Sequence, residues 1–225
     1  MLGIISATDT ETRVLKESMT EFKEENVKDI SFFKGKLYGR DIIFVQSGIG
    51  KVNAAITATL LIYKYNVDRI IFLGVAGSLS DKLEIGDIVI GTDVIQHDVD
   101  VSEFGYKIGQ IPGIKEWALF SDEDMIEKTK KAVSEKYRLF FGRILTGDQF
   151  ISGKQEKITL GKDFEALCVD MESGAVAQVC RRFGVKFLII RSISDSITDE
   201  SVMEYKKFSE LAANNSKDLL RQILI

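Results

Sequence analysis

Two short stretches put acids where apolar runs end. "ALCVDMES" (166–173) passes from a buried-looking run into Asp170, Met171 and Glu172, and "IIRSISDS" (189–196) passes into Arg191, Ser194 and Asp195. Carboxylates at the exit of a buried strand are unfavourable unless something binds them. In an extended segment alternate side chains share a face, which predicts Asp170 and Glu172 on one side with Met171 on the other. It likewise predicts Arg191 and Asp195 on one side with Ser192 and Ser194 on the other. Two readings stay open for each acid. Asp195 is either a reacting acid or the ion-pair partner of Arg191. Glu172 is either a binding carboxylate or an acid capping the helix that follows, where backbone N–H groups favour negative charge.

These exits need elements to hold them. Strands are expected at 2–7, 69–77, 87–99, 139–147, 166–171 and 186–194, and a hairpin at 30–48 turning at Gly39-Arg40. Helices are expected at 11–19, 50–66, 122–137, from Ser173, and from Ser201 to the end. Strands apolar on both faces and separated by helices predict an α/β fold: a three-layer α/β/α sandwich around a central mixed, mostly parallel sheet. With one proline, no repeat and no low-complexity tract, residues 1–225 read as a single domain. In such folds ligands bind beyond the carboxyl ends of the strands. Those exits here are "SATDTET", "SGIGKVNAA", "LGVAGSL", "TGDQFISG", "VDMESG" and "RSISDSITD", each polar or rich in glycine.

Several chemistries are excluded. "SGIGKV" has Val45 and Val52 where a phosphate loop needs Gly and Ser or Thr, and "GVAGSL" lacks the dinucleotide-binding spacing. One histidine, His97, beside Asp98 and Asp100 makes a poor zinc site, so neither a metal nor a cofactor is expected. Thirty basic against 34 acidic residues, net −4, give no field for nucleic acid or an anionic membrane. The N-terminus does not read as a secretory leader, no apolar run approaches a membrane span, and Cys168 and Cys180 sit in apolar contexts. A cytoplasmic protein is the expectation.

Taken together, "SGIGKVNAA", "GVAGSL", "GDIVIG", "HDVDVSEFGYKIGQIPG", "TGDQFISG", "VDMESGAVAQVC" and "IIRSISDS" resemble, in order and spacing, the methylthioadenosine/S-adenosylhomocysteine nucleosidases of the purine nucleoside phosphorylase and nucleosidase superfamily. The resemblance runs nearly end to end. It implies hydrolysis of an adenine N-glycosidic bond, releasing adenine and a 5-thioribose. It implies catalytic roles for Glu11 (positioning water), Glu172 (gripping the ribose hydroxyls) and Asp195 (protonating the leaving adenine). It places Ile49, Val75, Ala76, Gly77, Phe150, Ile151, Met171, Arg191, Ser194 and Tyr205 around the substrate. Phe104, Tyr106 and Pro112 would reach into a neighbouring subunit's pocket, which implies a homodimer. Departures are Thr8 for a common methionine, Val75 for a common serine and Asp170 for a usual glutamate. Asp195 would have to carry a proton, which burial favours, whereas Asp170 is expected to be structural, supporting the turn or pairing with Arg191. A phosphorylase is the rival within the superfamily, but Glu11 and Val75 suit phosphate badly, and Arg13, two helical positions on, points away from Glu11. A non-catalytic nucleoside-sensing module is the rival from outside catalysis.

Overall fold

The computed structural model describes residues 1–132, 137–198 and 200–224. Strand β1 (Leu2–Ser6), the hairpin β3 (Ile30–Leu37) and β4 (Arg40–Gln46), β5 (Arg69–Ser78), β6 (Ile88–Gln96), β8 (Leu139–Thr146), β9 (Ala166–Asp170) and β10 (Lys186–Asp195) fall where apolar runs predict them. So do helices α1 (Asp9–Lys16), α2 (Lys51–Tyr65), α5 (Ser173–Phe183) and α6 (Ser201–Leu224). Helix α3 spans Glu123–Ala132, and residues 133–136 of the helix expected there lie outside the described residues.

Three elements come without a sequence signal. Strand β2 (Met19–Val27) is almost wholly exposed and charged, and forms by pairing with β3 at the sheet edge, where charge discourages pairing with another chain. Strand β7 (Leu119–Phe120) is a two-residue pairing on β6. Helix α4 (Lys154–Phe164) buries only Lys157 and Phe164, too little for an apolar stripe.

All ten strands of the described residues form one mixed sheet, with helices on both sides. Half of its pairings among the described residues are parallel, a smaller share than expected. The sheet also closes on itself. The first half of β5 lies between β1 and β10, while its end turns onto β9, so that β10, β6, β8, β9 and β5 make a ring. On one side α2 and α5 pack over Ala58, Leu61, Phe72, Val176 and Ile189. On the other, α1, α3 and α6 cover Ile4, Ile71, Leu188, Leu219 and Leu220. Pairing of β5 with β9 is confined to Gly77↔Val169 and Ser78↔Cys168, at the C-terminal ends of both strands. The exits of β1, β5, β9 and β10 therefore open into one space. Among the described residues no helix is long and apolar enough to cross a membrane.

Candidate active site

That space is a cavity of about 340 Å³, lined mainly by apolar groups and entered by Glu11, Glu172 and Asp195. All three carboxyl side chains are buried.

Glu11 sits at the third position of α1 and closes a capping box with Thr8. Its Oε2 accepts from the N–H groups of Ala7 (2.8 Å) and Thr8 (2.9 Å), and its Oε1 accepts from Val75 N–H (3.1 Å). A carboxylate has about four acceptor positions, so roughly one is left for a ligand. Burial pushes the Glu11 carboxyl above its ordinary range, against the opposing effect of these N–H groups and Arg191. Gly74 makes this arrangement possible: a Cβ there would lie 2.8 Å from Arg191 Nη1 and 3.1 Å from Glu11 Oε1.

Glu172 occupies the N-cap position of α5 but makes no capping hydrogen bond. Its Oε1 instead accepts from Gly50 N–H at 2.8 Å. The capping is done by Asp170, which accepts from the N–H groups of Glu172 (3.2 Å) and Ser173 (3.1 Å), from Thr146 Oγ1 (2.7 Å) and from Ser173 Oγ. Arg191 Nε completes the cluster at 2.7 Å from Asp170 Oδ2. Burial first, and the charge of Asp170 second, push the Glu172 carboxyl up to about 7.

Asp195 ends β10. Its Oδ1 accepts from Ser194 Oγ at 2.8 Å, and its Oδ2 lies 2.5 Å from the Nζ of Lys157 on α4. A Cβ at Gly77 would lie 2.9 Å from Oδ2, so only glycine leaves Asp195 this room. Phe150 and Tyr205 meet edge to face, centroids 5.7 Å apart, at the cavity wall. Burial and the charges of Glu11, Glu172 and Asp195 all push the Tyr205 phenol up, which places the three acids around one centre.

The model of the phosphorylase superfamily matches residues 1–225. A relative from Staphylococcus haemolyticus, named 5'-methylthioadenosine/S-adenosylhomocysteine nucleosidase, is 38% identical over 100% of this chain and 99% of its own. This chain belongs to the methylthioadenosine/S-adenosylhomocysteine nucleosidases. Two solved structures are similar throughout. The nucleosidase of Neisseria meningitidis, in complex with methylthio-immucillin-A, superposes with a TM-score of 0.95 at 35% identity, covering 99% of this chain and 97% of the other. The futalosine hydrolase of Helicobacter pylori superposes with a TM-score of 0.93 at 35% identity, covering 99% and 96%.

Of the residues that the nucleosidase resemblance singles out, Glu11, Ile49, Val75, Ala76, Gly77, Phe150, Ile151, Met171, Glu172, Ser194, Asp195 and Tyr205 all line the cavity. Arg191 does not: it is 1% exposed, sits behind the wall on Asp170, and stacks on Phe72 with 4.0 Å from its guanidinium carbon to the ring centroid. Phe104, Tyr106 and Pro112 stand away from the cavity of their own chain, Phe104 being 82% exposed.

Three expectations need correction. Strict alternation fails in β10, because a register shift between Ile193 and Asp195 turns both Ser194 and Asp195 to the cavity. It fails again after β9, whose last residue is Asp170, so Met171 and Glu172 both face the ligand space. The ion-pair reading of Asp195 named the wrong cation, since Arg191 is committed to Asp170 and the partner is Lys157. Lys157 escapes sequence reasoning because its helix does. Its signal is a lysine in the stripe Lys157–Leu160–Phe164, where an apolar residue belongs. Asp98 pairs with Lys51, Asp100 accepts from Ser102 N–H, and burial pushes the His97 imidazole down.

Proposed function

We propose that this nucleosidase hydrolyses the N-glycosidic bond of 5'-methylthioadenosine, S-adenosylhomocysteine and related adenosine derivatives, releasing adenine and a 5-thioribose. The observation that carries this reading is the convergence of Glu11, Glu172 and Asp195 on one largely apolar cavity of nucleoside size. Breaking this bond leaves a cationic, oxocarbenium-like sugar and a poor anionic leaving group. Glu172 accepts from the ribose hydroxyls and stabilises the sugar cation. Glu11 uses its remaining acceptor position to orient the attacking water. Asp195 delivers a proton to the departing base, an effect typically worth about 10²–10⁴ in rate. Phe150 and Ile151 bind the base, Met171 underlies the sugar, and Tyr205 covers the tail. Arg191 acts through Asp170, which it holds against the start of α5.

Phosphate would be repelled here. Glu11, Asp170, Glu172 and Asp195 all line the cavity, Val75 offers no hydroxyl, and Arg13 is turned outward to Glu210 at 2.8 Å. A nucleoside-sensing module would have no need of a leaving-group acid.

Exposed apolar side chains suggest that the working form is a homodimer. Val52, Ile56 and Tyr63 stand 68%, 49% and 79% exposed along α2, with Phe183 of α5 close by, and a second copy would cover them. Phe104, Tyr106 and Pro112 would then complete the partner's cavity. Buried free thiols at Cys168 and Cys180 agree with a cytoplasmic location, where the reaction would serve purine and methionine salvage.

The test is adenine release from methylthioadenosine in phosphate-free buffer, with the sugar product identified. Methylthioribose supports the reading. A strict requirement for phosphate, with the 1-phosphate as product, moves the chain to the phosphorylases.

A further inference from the structure

Helix α4 carries a lysine that no part of this reaction scheme has used. Lys157 is fully buried, and each of its three ammonium hydrogens has a partner: Asp195 Oδ2 at 2.5 Å, Ser196 O at 2.7 Å and Ser201 Oγ at 2.8 Å. A buried ion pair is weak evidence for stability, since apolar residues of similar size often serve as well. This pair is also placed where chemistry is expected. Its acid is the group that lines the cavity, with its second oxygen fixed by Ser194.

We propose that Lys157 is a positioning residue that acts through Asp195, holding at the pair the one proton that leaves with the adenine. The inference rests on the hydrolase reading above. As the C1'–N9 bond breaks, its electron pair passes to the purine. Asp195 takes a proton from Lys157 Nζ and passes one on to a ring nitrogen of the base. The pair goes from ammonium and carboxylate to amine and carboxylate, the base becomes neutral adenine, and the amine regains its proton from solvent once adenine has left. The other charged or titratable groups facing the pair are Tyr205 and Glu204 of α6, Cys168 of β9 and, across the cavity, Glu11 and Glu172. None of these is cationic, and Arg191 is bound to Asp170. Without Lys157, Asp195 could hold a transferable proton only as the carboxylic acid, a form that is lost as pH rises.

The experiment compares Lys157→Met with the parent, measuring kcat against pH for methylthioadenosine and for a nitrophenyl riboside, whose leaving group needs no proton. Lys157→Gln, which keeps a donor for Ser196 O, takes its place if the first variant does not fold. For adenine release the alkaline limb should move down by a pH unit or more, with about a tenfold or larger loss of kcat at pH 8 and recovery toward the parent at pH 6. The nitrophenyl profile should keep its alkaline limb. Equal losses on both substrates with an unchanged profile would make the pair purely structural and overturn the proposal. Adenine release by the parent in the same phosphate-free assay reports separately on the hydrolase reading.

Discussion

Replacing Glu172 with Gln should nearly abolish turnover and stabilise the protein at the same time. Burial and the charge of Asp170 push the carboxyl up to about 7 in the folded chain, against an ordinary 4.5. A group raised in this way favours the folded state below its unfolded value and loses that contribution as pH rises through the folded one. A tenfold difference in proton affinity between the folded and unfolded chain is worth about 1.4 kcal/mol, so at pH 8 the buried carboxylate opposes folding by up to about 3 kcal/mol. Glutamine keeps the shape, and its amide oxygen can still accept from Gly50 N–H, which Glu172 binds at 2.8 Å. It carries no charge against Asp170 and cannot stabilise a cationic sugar. Urea unfolding at pH 8 should show Glu172→Gln more stable than the parent by as much as about 3 kcal/mol, and at pH 4.5 the two should be nearly equal. Turnover of methylthioadenosine should fall by about 10²-fold or more, a typical loss for a transition-state electrostatic partner. A variant destabilised at pH 8, or one fully active, would refute the reasoning and return Glu172 to a structural role.

The same titration predicts that the parent's turnover falls as pH drops below about 7, on methylthioadenosine and a nitrophenyl riboside alike, since the ionised Glu172 is needed for both. A flat acid side down to pH 5 would exclude it. Glu11→Gln should lose most of its turnover and change stability by only about 1 kcal/mol, because one amide cannot accept from Ala7, Thr8 and Val75 N–H together. Thermal melts beside the kinetics separate that outcome from unfolding. Sedimentation should give a dimer at micromolar concentration, and a fully active monomer would rule out a contribution from Phe104, Tyr106 and Pro112 across an interface.

What the sequence made legible follows from where each segment sits. Strands β5 and β10 are buried on both faces, so they read as unbroken apolar runs, and their exits could be located before any coordinate was known. Strand β2 is exposed along nearly all its length, and α4 buries two residues, so neither writes a pattern into its composition. Closure of the sheet depends on β5 meeting both β10 and β9, a long-range pairing that local periodicity does not encode. Within the site, residue types were readable but their directions were not. A register shift brings Ser194 round beside Asp195, and the end of β9 at Asp170 frees Glu172 to turn from the helix it precedes. Asp170 and Glu172 are legible as one structural acid and one free acid, yet only the hydrogen bonds show that Asp170 does the capping. Lys157 is marked only by standing in line with Leu160 and Phe164, a signal too short to reveal its helix, although it is the cation paired with the acid that matters most.

The central claim is that Asp195 is the acid for the departing base, and Asp195→Asn tests it most directly. The amide keeps the shape and can donate a hydrogen bond, but it cannot hand over a proton. Adenine nucleosides should still bind, while their turnover falls by about 10²-fold or more. Turnover of a nitrophenyl riboside, whose leaving group needs no proton, should fall far less. Equal losses on the two substrates would mean that Asp195 serves only as the partner of Lys157, and would contradict the mechanism assigned to this site.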